Sequence, residues 1–176
     1  LFAIYYLIAA ISTAPLAYQL IATLFAAATA WVIGEIARAW TKTQGALLAG
    51  LCYLLWLAPL QGYGGQSPVF YNFFMAGAAL FVQRALPALD KGRVPASVPL
   101  AMLLAGATIT MKTSAVFEAV FLGLLCTVRL YHSGAPTLRH AALWALIGAA
   151  PALLIAAAYW TGGHWAEYWH AMVTSN

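Results

Sequence analysis

Residues 106–118, GATITMKTSAVFE, place a single cation, Lys112, inside one of the most apolar parts of the chain. On insertion scales a lysine at the centre of a bilayer costs roughly 2.5–3.5 kcal/mol. Such a residue is therefore absent, snorkelled to a surface, or kept for a partner. The apolar run that surrounds it, residues 98–130, is too long for one crossing and about right for two short ones. A turn near 111–114 would lift the ammonium out of hydrocarbon and set it at one membrane face. The rest of the chain can be read outward from that turn.

Composition fixes the class. Hydrophobic residues make up 64% of the 176 and charged residues only 7%, against about 25% charged in a soluble domain. An all-α, polytopic integral membrane bundle is expected. The formal charge of +4 is too sparse and scattered for a nucleic-acid surface. Cys52 and Cys126 both fall in apolar segments and read as small core residues, not as a disulfide or metal pair. No CxxC, His-x-x-x-His, Walker or dinucleotide glycine pattern occurs, so no metal and no cofactor is expected.

Upstream, LFAIYYLIAAIS (1–12) is too short to span. It reads as a helix lying in the interface or as the tail of a span. The run begins at Leu1 without a basic leader or cleavage site, so a piece of a longer protein is expected. Pro15 suits a helix start, and residues 16–40 are long enough to cross. Glu35 and Arg38, three apart, can pair on one helix face. A second span covers 45–60, followed by the Gly/Pro-rich turn QGYGGQSP (61–68) and a third span over 69–86. Residues 87–99 form a short polar connection. Downstream of the split pair, 133–136 turns, Arg139 and His140 open a last span to about Trp160, and an aromatic, polar tail follows. The expectation is one transmembrane module over 1–176, with about six membrane helices and interfacial helices at 1–12 and 164–174.

Alternating these spans puts Arg38, Lys42, Arg84, Lys91, Arg93, Arg129 and Arg139 on one side, which the positive-inside rule makes cytoplasmic. Lys112, the 61–68 loop and the tail fall opposite. Lys112 reads either as a snorkelling anchor or as a point charge for an anionic group such as a lipid phosphate. Thr110, Thr113 and Ser114 add hydroxyls, which could equally bond backbone carbonyls. In QGYGGQSPVFYN, Gln61, Tyr63, Gln66, Ser67 and Tyr71 offer amides and hydroxyls, and the glycines permit close approach of a ligand. The other reading is a plain turn. Glu118 reads as a carboxylate inside the span with no evident cation partner. His164, Glu167 and His170 share a face if the tail is helical, and a wet amphipathic face outweighs a metal or acid–base site there.

The order of these pieces resembles a known group. PLAYQLIATLFAAATAWVIGEIARAW, QSPVFYNFFMAGAAL, AGATITMKTSAVFEAVFLGLL and GGHWAEYWHAMV together are similar to the membrane module of bacterial GT-C glycosyltransferases. These are the relatives of protein mannosyltransferases and aminoarabinose transferases. The resemblance implies a bacterial inner-membrane, multi-pass enzyme. It would transfer a sugar, hexose or pentose, from a polyprenyl-phosphate donor to a glycan, lipid or protein acceptor on the periplasmic face. It implies a catalytic carboxylate in an extramembrane loop upstream of Leu1 and a polar site near the donor phosphate that includes Lys112. Where relatives often carry an acidic residue before Val-Phe, this chain has Pro68, which leaves amide or hydroxyl contacts to that loop. The alternative is a non-enzymatic transporter or flippase of an amphipathic lipid, with Lys112 and Glu118 lining a path.

Overall fold

The computed structural model describes residues 2–59 and 66–174. Its regular elements among these are all helical. They are α1 (Phe2–Ile11), α2 (Pro15–Ala37), α3 (Thr43–Leu57), α4 (Ser67–Leu89), α5 (Ser97–Ile109), α6 (Val116–His132), α7 (Leu138–Thr161) and α8 (Trp165–Trp169). A 3₁₀ turn at Thr113–Ala115 precedes α6, and a π turn at His170–Thr174 follows α8. Among the described residues, four helical stretches are long and apolar enough to cross a membrane: Pro15–Ala37, Ser67–Leu89, Thr113–His132 and Leu138–Thr161. The apolar helices α3 and α5 are shorter, 15 and 13 residues, or roughly 20 Å at 1.5 Å per residue. The expected six therefore resolve into four of spanning length and two below it.

The chain forms two compact units, Leu1–Gln83 and Arg84–Asn176. In the first, α2 and α3 run antiparallel and almost backbone to backbone. A Cβ on Gly34 would lie 3.0 Å from the Ala46 carbonyl oxygen, and one on Gly50 would lie 2.6 Å from that of Ala30. Phe25 packs edge-on against Phe70 and Phe73, and Tyr5 of α1 packs against Tyr18 and Phe70. Polar contacts also tie the helices, among them Gln83 donating to the Ile36 carbonyl at 3.0 Å and Asn72 donating to the Tyr53 hydroxyl at 3.3 Å. Glu35 and Arg38 pair at 3.0 Å, as their spacing predicts.

In the second unit α5, α6 and α7 follow one another through tight reversals, so α5 and α7 run in the same direction and pack closely. The contact point is Gly106 against Gly148, where a Cβ on Gly106 would fall 1.9 Å from the Gly148 carbonyl oxygen. Small residues at such crossings let helix backbones meet when no side chain intervenes.

Two expectations need correcting. The helix expected to end at Leu86 continues through Pro87 to Leu89, because a proline forfeits only its own bond to the preceding turn, and Asp90 N–H resumes the pattern to the Leu86 carbonyl at 3.0 Å. Cys126 is fully buried, but Cys52 is exposed on α3. In an apolar helix, composition does not tell which face turns inward. Glu118 lies within the Thr113–His132 stretch, as expected, and is exposed in the first turn of α6, where the free N–H groups favour a carboxylate.

The connection after α4 closes on Gly92, at φ 70°, a left-handed conformation that glycine adopts without penalty. It brings Asp90 against Arg129 in a two-pronged ion pair, with Nε donating to Oδ1 at 2.6 Å and Nη2 to Oδ2. The hydrogen bond from Arg129 holds the Asp90 carboxyl below its usual range. A carboxylate with a depressed folded-state pKa stabilises above its unfolded pKa and loses that contribution as pH falls through the folded one. The melting difference between wild type and Asp90→Asn should therefore be small and constant near neutrality, and should vanish as the medium is acidified below about pH 4. A difference that persists unchanged in acid would assign the effect of the substitution to something other than this pair.

Candidate functional site at the α5–α6 break

The break around Lys112 forms where the sequence places it. The hydroxyls of Thr108 and Thr110 turn back to the carbonyls of Ala105 and Ala107, at 2.5 and 2.7 Å. Such back-bonding competes with helix continuation, and α5 ends at Ile109. Met111 and Lys112 N–H both close on the Thr108 carbonyl, each at 2.9 Å. Lys112 itself is extended (φ −150°, ψ 115°), and its carbonyl accepts from Ala115 N–H at 3.0 Å to open the 3₁₀ turn. Its side chain is exposed, beside exposed Ser114 and half-buried Thr113. Because the helices alternate, Lys112 occupies the end of this unit opposite the one carrying Lys91, Arg93, Arg129 and Arg139.

A groove of about 360 Å³ runs between α5, α6 and α7 and reaches this break. Ile109 and Val116, three residues before and four after Lys112, line one end, while Thr127 and Ala141 line the other. Between them the walls are apolar, with small residues such as Gly123 on α6 and Ala145 on α7 beside Met102, Leu124 and Trp144. The Thr127 hydroxyl is turned to the Gly123 carbonyl at 2.8 Å, so it is engaged within α6. From Val116 to Thr127 the groove extends about 16 Å at 1.5 Å per residue. It suits a hydrocarbon chain and offers nothing to a polar solute.

Of the other sequence-derived candidates, Gln61 and Tyr63 lie outside the described residues. Gln66 is exposed just before α4, and its carbonyl receives Val69 N–H at 3.1 Å. Ser67 and Tyr71 are half-buried in the first turns of α4. These three belong to the first unit and Lys112 to the second. In the tail, His164 Nδ1 is 3.8 Å from Glu167, and His170 Nδ1 is 2.7 Å from the Thr174 hydroxyl. Among the described residues no three His, Cys, Asp or Glu side chains come together as a metal site. Trp165 stacks near Trp160 and Trp169, leaving an exposed aromatic cluster beyond α7.

Sequence reading found the cation but not the groove beside it. Its lining is alanine, glycine and larger apolar side chains drawn from three helices, which carries no motif. No protein-family model matches the chain, and no curated protein or solved structure is similar to it.

Proposed function

We propose that the chain is part of a multi-pass inner-membrane glycosyltransferase that takes a sugar from a polyprenyl-phosphate donor to an acceptor at the periplasmic face. The observation that carries the reading is an apolar groove lined at one end by Ile109 and Val116, the helix ends that flank the exposed Lys112. A polyprenyl phosphate is an anionic headgroup on a hydrocarbon chain, and the two features match its two parts. The exposed leucines and aromatics of α2, α3, α6 and α7 are what a hydrocarbon solvent covers, and the distribution of Lys and Arg sets the orientation.

In this reading an acceptor hydroxyl attacks the anomeric carbon and the lipid phosphate leaves with the bonding pair. The general base comes from the extramembrane loop that the resemblance locates ahead of residue 1. Lys112 balances charge on the departing phosphate. The groove holds the lipid chain, which positions the reacting bond without entering the chemistry.

The test is transfer from a radiolabelled polyprenyl-phosphate sugar by membranes that contain the whole protein. Ala145→Trp separates the groove from the headgroup, because Ala145 is exposed and a bulky ring there fills the groove without entering the core. KM for the donor should rise about tenfold, the equivalent of losing roughly two buried methylenes, with kcat retained. Donor binding without any transfer would favour the flippase reading, and an unchanged KM would detach the groove from the donor.

A further inference from the structure

A second apolar groove lies in the other unit. It follows the α2–α3 pair, has a volume of about 230 Å³, and is rimmed by Trp31, Leu47, Leu51 and Leu54. Its floor is the glycine-mediated contact of the two backbones, and its rim side chains are exposed. Glu35 and Arg38 line it too, and both belong to the end of the helix pair next to the α2–α3 loop. Their side chains are 3.0 Å apart, Arg38 about half exposed and Glu35 less so. Lys42 opens α3 from the same loop. The groove therefore has a long apolar body, about 12 Å along either helix, and an acid and a base side by side at one end.

We infer that this groove binds one membrane phospholipid whose headgroup is zwitterionic with a primary ammonium, of the phosphatidylethanolamine class. The acyl chain lies along Leu47, Leu51 and Leu54. The phosphate meets Arg38, and the ammonium donates to the Glu35 carboxylate. Charge complementarity selects this occupant. A purely anionic headgroup satisfies Arg38 but sets negative charge against Glu35. A choline headgroup has the right charges, yet its quaternary nitrogen has no N–H to donate. The ethanolamine headgroup meets both side chains. The inference rests on the membrane reading above and is independent of glycosyl transfer.

The experiment is native mass spectrometry of the whole protein, delipidated in detergent and then offered phosphatidylethanolamine, phosphatidylcholine and phosphatidylglycerol with matched chains. One ethanolamine lipid should be retained about tenfold better than either competitor, the size of one charge-assisted hydrogen bond. Glu35→Gln should bring its retention down to the choline level, and Leu51→Trp, which fills the groove at an exposed position, should lower all three. Melting temperature checks that each variant remains folded. Preferential retention of phosphatidylglycerol would mean simple attraction to Arg38 and Lys42 and would overturn the inference. Equal retention of the three would reduce the groove to ordinary lipid contact. Recovery of the protein from cells without detergent would defeat the membrane reading itself, a result separable from either of these.

Discussion

Gly106→Ala should lower the melting midpoint in detergent by several degrees, while Gly148→Ala should leave it unchanged or raise it by a few degrees. The two glycines face each other across the α5–α7 contact, yet they are not equivalent. A methyl on Gly106 would sit 1.9 Å from the Gly148 carbonyl oxygen, closer than any real carbon approaches an oxygen, and the obstacle is backbone. The helices must separate or shift. A methyl on Gly148 finds its nearest atom, the Met102 carbonyl oxygen, at 3.6 Å, which is ordinary contact. Overpacking of this kind costs about 1–3 kcal/mol, and the helix propensity gained by replacing glycine returns up to ~1 kcal/mol in both variants. For a chain of this size each kcal/mol moves the midpoint by roughly 2–4 °C. Opening α5 from α7 also widens the groove that they share with α6. Equal midpoints for the two variants would show that the α5–α7 approach is not set at Gly106.

How far such contacts can be read from sequence depends on what marks them. The α5–α6 break was legible because threonines, a lysine and a serine interrupt an apolar run, and each acts locally. The Glu35–Arg38 pair was legible for the same reason, since three residues of helix fix their distance. The grooves were not. Ala145, Gly123 and Ile109 come from three helices, and nothing in one helix tells which of its small residues meets another. Cys52 and Cys126 make the point sharply, since both sit in apolar helices yet one is exposed and the other buried. A membrane helix that is apolar all round lacks the polar face that orients an amphipathic one. The Asp90–Arg129 pair was equally hidden, because it depends on how the loop after α4 folds back over the end of α6. That Glu118 stands in an exposed first turn was not legible, because it follows from where α6 restarts.

Lys112 carries the largest expected effect on activity. If it balances the leaving lipid phosphate, Lys112→Met should keep the fold, because methionine suits the end of an apolar helix and Lys112 holds its place through backbone bonds to Thr108 and Ala115. Turnover should nevertheless fall roughly 10²–10³-fold, the loss seen when one transition-state donor is removed. The loss belongs mainly in kcat, since charge on the phosphate grows as the glycosidic bond breaks and the ground state feels less of it. Lys112→Arg should recover part of the rate, because the charge remains while a planar fork replaces a point charge. A lysine that only snorkels predicts the opposite pattern: methionine would leave the rate unchanged and raise the melting temperature, having removed a charge from the edge of hydrocarbon. Ala145→Trp supplies the contrast, since it acts on the lipid chain and should move KM instead. The measurement is initial rate at saturating donor for wild type, Met and Arg in membranes containing the whole protein, with melting temperature as the control for folding. Equal rates across the three would take Lys112 out of the reaction and leave the groove as a lipid site without chemistry at its mouth.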